Sequence, residues 1–198
     1  AGVYLIARLH PLFELTPGIL LYWVGGVGAL TLVVAGFCAL AQTDIKRILA
    51  YSTMSQIGYM FLALGVGAWQ GAIFHLMTHA FFKALLFLSS GAVILAVHHE
   101  QDIFKMGGLR KKIPLVFWCY IVGGGALAAI PWVTVGFYSK EAILWETYAT
   151  GHLVLFYMGV FGAFLTAIYT FRMIWIIFFG EEKTHAHKLS GVSYWLPL

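Results

Sequence analysis

Long apolar segments alternate with short polar joints along nearly the whole chain. A helix that crosses a bilayer needs roughly 20 mainly apolar residues, and all but the first of these segments are long enough. The pattern predicts an all-α, polytopic membrane helix bundle that forms a single membrane domain over residues 1–198. The predicted helices lie at about 1–8 (a partial helix), 18–42, 48–68, 71–97, 113–149 and 152–179.

The segment 113–149 is too long for one straight crossing. At about 1.5 Å per residue it would extend roughly 54 Å, against a hydrocarbon core of about 30 Å. It contains three consecutive glycines at 123–125 and then Pro131. Glycine weakens a helix and proline removes one of its hydrogen bonds. We therefore predict a discontinuous helix broken near 123–134, with a helix that ends in a loop at Pro131 as the alternative.

Composition and charge support the membrane class. Hydrophobic residues make up 61% of the chain and charged residues only 10%, which excludes an ordinary soluble domain. If successive helices cross in opposite directions, one side carries only Arg8 and the other side is strongly basic. The positive-inside rule places the basic side in the cytoplasm, or in the matrix or stroma of an organelle. Its residues are Lys46, Arg47, Lys105, Arg110, Lys111, Lys112, Lys183 and Lys188.

The net charge of +4 arises from basic residues that cluster in the joints on one side of the membrane. We therefore expect the chain to contact a lipid bilayer and not to bind nucleic acid. Cys38 and Cys119 lie in apolar segments without further ligands at metal-binding spacing. We expect reduced thiols and no metal site.

The chain begins within an apolar segment, and 194–198 resembles the start of another helix. We expect it to be an internal piece of a longer protein.

Three titratable residues share one face of the segment 71–97. His75, His79 and Lys83 follow each other at four-residue spacing, about 6 Å apart along a helix. Lys83 falls near the bilayer midplane, where a charge costs at least about 2.5 kcal/mol. Imidazole titrates near neutrality, so the three groups predict a proton relay. One alternative is that the histidines only form hydrogen bonds between packed helices, while Lys83 is statically paired with a carboxylate. Another is a metal site at the two histidines, although zinc needs three or four ligands.

Lys140 and Glu141 follow the predicted break closely and would lie within the membrane. They predict a second site of proton transfer. Neighbours on a helix point about 100° apart, so we expect each to contact different partners. The alternative is a surface pair at the start of a helix.

Two polar stripes accompany these residues. One holds Ser52, Ser55 or Gln56, and Tyr59, and the other holds Thr166 and Thr170. Each could face a hydrated interior or supply hydrogen bonds between helices. Arg172, near the basic end of the last helix, is interpreted as an anchor.

Several stretches carry a close resemblance to a known family. They are QTDIKR at 42–47, AYST at 50–53, QIGY at 56–59, HLMTHAFFK at 75–83, FKMGGLR at 104–110 and GFYSKE at 136–141. They resemble the antiporter-like family, which comprises the large membrane subunits of respiratory complex I and the Mrp-type cation/proton antiporters. Within it, the later stretches are most similar to the L-type (subunit 5) branch of bacterial NADH–quinone oxidoreductase.

The resemblance implies two inverted five-helix repeats, of which this chain holds the second and the tail of the first. It also implies that Lys83, His75 and His79 belong to a central hydrophilic axis, that Lys140 is a terminal proton site, and that Glu141 assists it. The implied function is proton translocation as part of NADH:quinone oxidoreductase, in the inner (cytoplasmic) cell membrane. The other membrane subunits of complex I are the implied partners, and no cofactor is expected in this chain.

Three other functions are compatible with parts of the pattern. An Mrp-type sodium/proton antiporter subunit shares the same motifs. A haem-binding redox module would need histidines on two facing helices, whereas His75 and His79 share one. A purely structural membrane anchor would not need Lys83.

Overall fold

The structure is a computed structural model that describes residues 2–16 and 18–184. Within these residues the chain is helical, with two short 3-10 turns and one isolated β-bridge. The predicted helix start at 194–198 and Lys188 lie outside the described residues. The helices are α1 (Gly2–Arg8), α2 (His10–Glu14), α3 (Ile19–Ala41), α4 (Ile45–Gly65), α5 (Trp69–Ala96), α6 (Pro114–Ala128), α7 (Val135–Ala149) and α8 (Leu153–Phe179).

Within residues 2–16 and 18–184, three helices are long and apolar enough to cross a membrane, namely α3, α5 and α8. Helix α4 has 21 residues, but its polar residues include Ser52, Ser55 and Gln56, which are fully buried inside the bundle. Helices α6 and α7 have 15 residues each, about 22 Å, so neither alone spans a core of about 30 Å. Among the described residues, α3 to α8 thus comprise three apolar helices, one helix with a polar interior face and one helix in two parts.

Helix α4 begins at Ile45 because Asp44 caps it. The Asp44 carboxylate accepts hydrogen bonds from the backbone N–H groups of Lys46 (2.8 Å) and Arg47 (3.1 Å). A capping side chain satisfies N–H groups that otherwise lack a partner in the first turn. Two basic residues are therefore included in the helix, which starts three residues before the predicted apolar segment.

Helices α3 and α4 pack with their backbones in close contact through glycines. A Cβ atom added to Gly28 would lie 2.5 Å from the backbone nitrogen of Leu62, and one added to Gly58 would lie 2.6 Å from that of Leu32. Small residues at such interfaces let membrane helices approach closely. This contact fixes the position of α4, which carries much of the polar interior.

The interruption between α6 and α7 covers residues 129–134. Ala129 adopts a left-handed conformation, with φ 59° and ψ 55°. The N–H of Ile130 donates to Gly125 O (3.0 Å) and the N–H of Ala129 donates to Ala126 O (3.2 Å). These two bonds form a Schellman-type helix end, which Pro131 then prevents from continuing.

The glycines at 123–125 lie inside α6, so the interruption is narrower than the predicted 123–134. A Cβ atom on Gly123 would lie 3.0 Å from Leu86 Cγ, and one on Gly124 would lie 2.7 Å from Ile174 Cδ1. These glycines therefore let α6 pack closely against α5 and α8.

The joints that carry most of the basic residues meet at one end of the bundle. Ile45 N donates to Gln101 O (3.0 Å), and Ile103 N donates to Thr43 O (2.9 Å). Thr184 Oγ1 donates to Lys105 O (2.6 Å), which joins the segment after α8 to the same place. The prediction that these joints share one side is confirmed for the described residues. We call the surface formed by 42–44, 97–113 and 180–184 the basic surface.

Candidate proton-transfer site

The three titratable residues of α5 are buried in the bundle. His75 is fully buried, and His79 and Lys83 are 7% and 5% exposed. The two imidazole centroids lie 6.2 Å apart, as expected for one helical turn. Burial of three such groups on one helix requires hydrogen-bonding partners on the neighbouring helices.

Lys83 is held by uncharged oxygen atoms of α4. Its Nζ donates to Ser52 Oγ (2.6 Å) and to the carbonyl oxygen of Leu49 (3.1 Å). Tyr169 of α8 donates its hydroxyl hydrogen to the same Ser52 oxygen (3.0 Å). Among the described residues, the ion pairs of the chain lie at the basic surface and do not include Lys83.

His75 is the point where four helices are linked. Its Nδ1 lies 2.8 Å from Ser139 Oγ of α7, and its Nε2 lies 3.1 Å from Gln56 Oε1 of α4. The Gln56 amide then donates to Thr166 Oγ1 of α8 (3.4 Å). The imidazole thus joins the two predicted polar stripes. Ser139 was not singled out from the sequence, although it directly precedes Lys140 in the motif at 136–141.

His79 lies between the other two groups of α5 and has one unsatisfied ring atom. Its Nε2 is buried without a hydrogen-bond partner in the described part of the chain. Phe82 packs against the ring edge to face, with centroids 5.4 Å apart. An unsatisfied buried polar atom costs about 1–3 kcal/mol, and an internal water is the usual partner.

Lys140 bridges the two halves of the broken helix. It is 3% exposed, and its Nζ donates to the carbonyl oxygen of Leu127 in α6 (2.6 Å). The same atom lies 5.4 Å from the centroid of the Tyr59 ring. Tyr59 is held in turn, because its hydroxyl donates to the carbonyl oxygen of Gly159 in α8.

Glu141 has a different environment from its neighbour. It is exposed on α7 and lines an open cavity of about 450 Å³ beside α8, together with Lys140, Trp145 and Phe156. No ion pair joins it to Lys140 among the described residues. Separate environments are expected for helix neighbours about 100° apart. Its role in proton transfer stays a prediction.

The arrangement is suited to moving protons. Hydroxyl, imidazole and amine groups can each accept one proton and release another, and they follow each other through the interior of the bundle. Within the residues that the structure describes, His, Cys, Asp and Glu side chains do not gather in groups of three that could hold a metal ion. The chemistry that the side chains themselves supply is acid–base chemistry.

These features define a class: polytopic α-helical membrane proteins with a broken helix and ionisable residues in the interior. The family described as "NADH:quinone oxidoreductase/Mrp antiporter, TM" matches residues 1–166. The chain belongs to this family. The resemblance drawn from the sequence motifs is thereby confirmed.

Relatives of known name agree with this membership. The chain is 71% identical to NADH-quinone oxidoreductase subunit L of Pseudomonas aeruginosa and 68% identical to that of Escherichia coli, over all 198 residues. It covers 32% of the length of each relative. The comparison therefore concerns one part of a longer subunit.

Solved structures agree on the fold. A chain of the Mrp complex from Dietzia sp. DQ12-45-1b matches with a TM-score of 0.82 and 27% identity, over 91% of this chain and 34% of that one. A chain of the membrane-bound sulfane sulfur reductase, an archaeal respiratory membrane complex, matches with a TM-score of 0.85 and 29% identity, over 99% and 41%. The antiporter-like fold with a discontinuous helix is therefore shared with subunits of multi-subunit membrane complexes.

Proposed function

We propose that this chain forms part of a proton-translocating membrane subunit of an NADH–quinone oxidoreductase in the inner (cytoplasmic) cell membrane. The high identity to named L subunits supports this assignment. The other membrane subunits of that complex are its partners. Quinone reduction takes place in other subunits, and this chain contributes the transfer of protons.

The environment of Lys83 is the observation that carries the proposal. Its amine is buried and bonded to a hydroxyl and a carbonyl oxygen. These uncharged acceptors can hold either the ammonium or the neutral amine, whereas a tightly paired carboxylate would favour the ammonium alone. Lys83 can therefore gain and lose a proton without the rupture of a buried ion pair.

The proposed route runs from Lys83 past His79 to His75, and then through Ser139 to the region of Lys140. Direct hydrogen bonds connect His75 to Ser139 and to Gln56. His79 Nε2 has no direct hydrogen-bond partner among the described residues, so proton transfer at this atom requires a bridging water. Glu141 completes the proposed route as an acceptor at the cavity beside α7 and α8.

The experiment compares two lysine variants of the full-length protein in the assembled complex. Inverted membrane vesicles are supplied with NADH, and a pH-sensitive dye reports proton uptake while NADH oxidation is recorded. For Lys83→Ala we expect the proton-transfer step that uses Lys83 to slow at least about 100-fold. The measured ratio of protons pumped to NADH oxidised should therefore fall. Lys105→Ala, whose side chain is 65% exposed, is the matched control. An unchanged ratio for Lys83→Ala refutes the proposal.

An Mrp-type sodium/proton antiporter subunit is the second candidate. The shared family and the structural match to the Mrp complex favour it. Uptake of radioactive sodium into the same vesicles, driven by a pH gradient, separates the two. Sodium uptake that is lost in Lys83→Ala supports the antiporter, and proton pumping in sodium-free buffer supports the oxidoreductase.

A further inference from the structure

Ser139 occupies a junction of hydrogen bonds at the start of α7. Its Oγ lies 2.8 Å from His75 Nδ1, 3.2 Å from the carbonyl oxygen of Gly136 and 3.2 Å from Thr78 Oγ1, whose one hydrogen is shared between Ser139 and the carbonyl oxygen of His75 (3.1 Å). The residue is fully buried. A serine hydroxyl has one hydrogen, so it can donate to the imidazole or to the Gly136 carbonyl, but not to both at full strength.

Gln56 determines which ring nitrogen of His75 gains and loses the proton. The Gln56 amide nitrogen donates to Thr166 Oγ1, so its oxygen faces His75 Nε2 and accepts a hydrogen from it. Nε2 therefore carries a hydrogen in both states of the ring. Nδ1, the atom that faces Ser139, is the one that changes.

The direction of the Ser139 hydroxyl follows from the charge of His75. When the imidazole is neutral, Nδ1 is an acceptor and Ser139 donates to it. When the imidazole is a cation, Nδ1–H donates to Ser139, whose own hydrogen then turns to the Gly136 carbonyl in the first turn of α7. That carbonyl belongs to the half-helix that carries Lys140.

We infer that Ser139 is a positioning residue that transmits the protonation state of His75 to the first turn of α7. This inference rests on the proposed proton relay. The Ser139 hydroxyl gives α7, the second half of the broken helix, a direct contact with the His75 imidazole. Lys140, the next residue along α7, is held at the Leu127 carbonyl and would respond to a change in that turn.

Other ionisable groups face His75 from the helices around it. They are Tyr59 of α4, His79 of α5 and Lys140 of α7, which act on the imidazole through their charge or ring contact. Lys83 and Tyr169 lie one contact further away, since Lys83 acts on His79 and Tyr169 acts on Tyr59. The contact that changes its donor on protonation is the one between Nδ1 and Ser139.

The test uses the assembled complex in inverted vesicles, with NADH oxidation and dye-reported pumping measured together. We expect Ser139→Ala to lower the pumping-to-oxidation ratio about fivefold, in line with the loss of one hydrogen bond. Ser139→Thr keeps the hydroxyl and should restore the ratio to within about twofold of the unaltered protein. Thr147→Val is the matched control, because Thr147 is also buried on α7 and its hydroxyl donates to a carbonyl within α7, that of Ile143 (2.7 Å). It should leave the ratio unchanged.

The double variant His75→Ala/Ser139→Ala shows whether Ser139 acts through His75. We expect its pumping-to-oxidation ratio to equal that of His75→Ala, because Ser139 has nothing to transmit without the imidazole.

If the two effects multiply, or if Ser139→Ala pumps normally while His75→Ala does not, the role of Ser139 is overturned and the relay survives. If assembled Ser139→Thr fails to restore pumping, the role of the hydroxyl is likewise overturned. If His75→Ala itself pumps normally, the relay through His75 fails and this inference fails with it.

Discussion

Lys140 of α7 donates a hydrogen bond of 2.6 Å to the carbonyl oxygen of Leu127 near the end of α6. The bond joins the two halves of the broken helix across the interruption at 129–134. It also satisfies one of the four carbonyl groups that a helix end leaves without a partner. One residue thus combines a structural contact with an ionisable group in the interior.

Two substitutions separate these roles of Lys140. Lys140→Met keeps an unbranched side chain but removes the amine, and Lys140→Arg keeps a permanent positive charge and a donor. We expect both assembled variants to pump at least about tenfold less per NADH oxidised, because neither can release a proton. Dye-reported pumping in vesicles checks this. Normal pumping by Lys140→Arg would show that Lys140 has a structural role alone.

Replacement of Gln56 tests the link between the two polar stripes. Gln56→Leu leaves His75 Nε2 and Thr166 Oγ1 without their shared partner. We expect a loss of about 1–3 kcal/mol in the free energy of unfolding together with reduced pumping. Thermal unfolding of the purified complex and the vesicle assay measure the two effects.

Ser55→Ala provides the comparison for Gln56. Ser55 is also buried on α4, but its hydroxyl donates to the carbonyl oxygen of Leu32 (3.0 Å) at the interface with α3. Its loss should lower stability by about 1 kcal/mol without an effect on pumping. Equal loss of pumping in both variants would mean that stability, rather than the His75 contact, explains the result.

Gly136 should not accept a side chain. A methyl group there would overlap the carbonyl oxygen of Ala126, a backbone atom of α6 that cannot easily move. We expect Gly136→Ala to cost about 3 kcal/mol or more and to reduce the amount of assembled protein. Gly26→Ala, where the added Cβ meets nothing within 4 Å, is the control. Immunoblots of membranes compare the two, and equal amounts would contradict the described packing at the break.

The hydrogen bonds that Glu100 accepts at the basic surface should depend on pH. The backbone N–H groups of Asp102 and Gln101, with Lys105 nearby, hold the pKa of the Glu100 carboxyl below its usual value. A carboxyl with a lowered pKa in the folded state adds stability above its unfolded pKa, and this stability is lost as the pH falls through the folded pKa.

Hydrogen exchange of the segment 97–113, corrected for intrinsic rates, measures this effect. We expect Glu100→Gln to exchange faster than the unaltered protein at neutral pH, and the difference to disappear as the pH falls through the lowered pKa of the folded protein. A difference that persists in acid would show that the ionised carboxylate is not its cause.

The sequence predicted much of this arrangement, because a helical period determines which residues share a face. The column of His75, His79 and Lys83 follows from four-residue spacing alone. The ends of the helices depend on less regular features. Because Asp44 caps α4, the helix begins at Ile45 and contains Lys46 and Arg47, which an apolar pattern could not show. The glycines at 123–125 permit close packing inside α6, although the same residues weaken an isolated helix.

The partners of the site were harder to predict. The alternative to a relay paired Lys83 with a carboxylate, whereas the structure gives it Ser52 and the Leu49 carbonyl. Ser139 contacts His75 from 64 residues away. Spacing within one helix does not determine how neighbouring helices are rotated or which small polar residue they present, so such contacts require the packed bundle.

Transfer of protons from Lys83 along α5 requires the buried imidazoles of His79 and His75 to change protonation during turnover. Infrared difference spectra of the full complex, with and without NADH, detect this when histidine is isotopically labelled. We expect imidazole bands that shift on labelling and are absent from His75→Ala and His79→Ala variants. If those variants retain every label-sensitive band, the two histidines do not change protonation during turnover, and the proposed proton relay is contradicted.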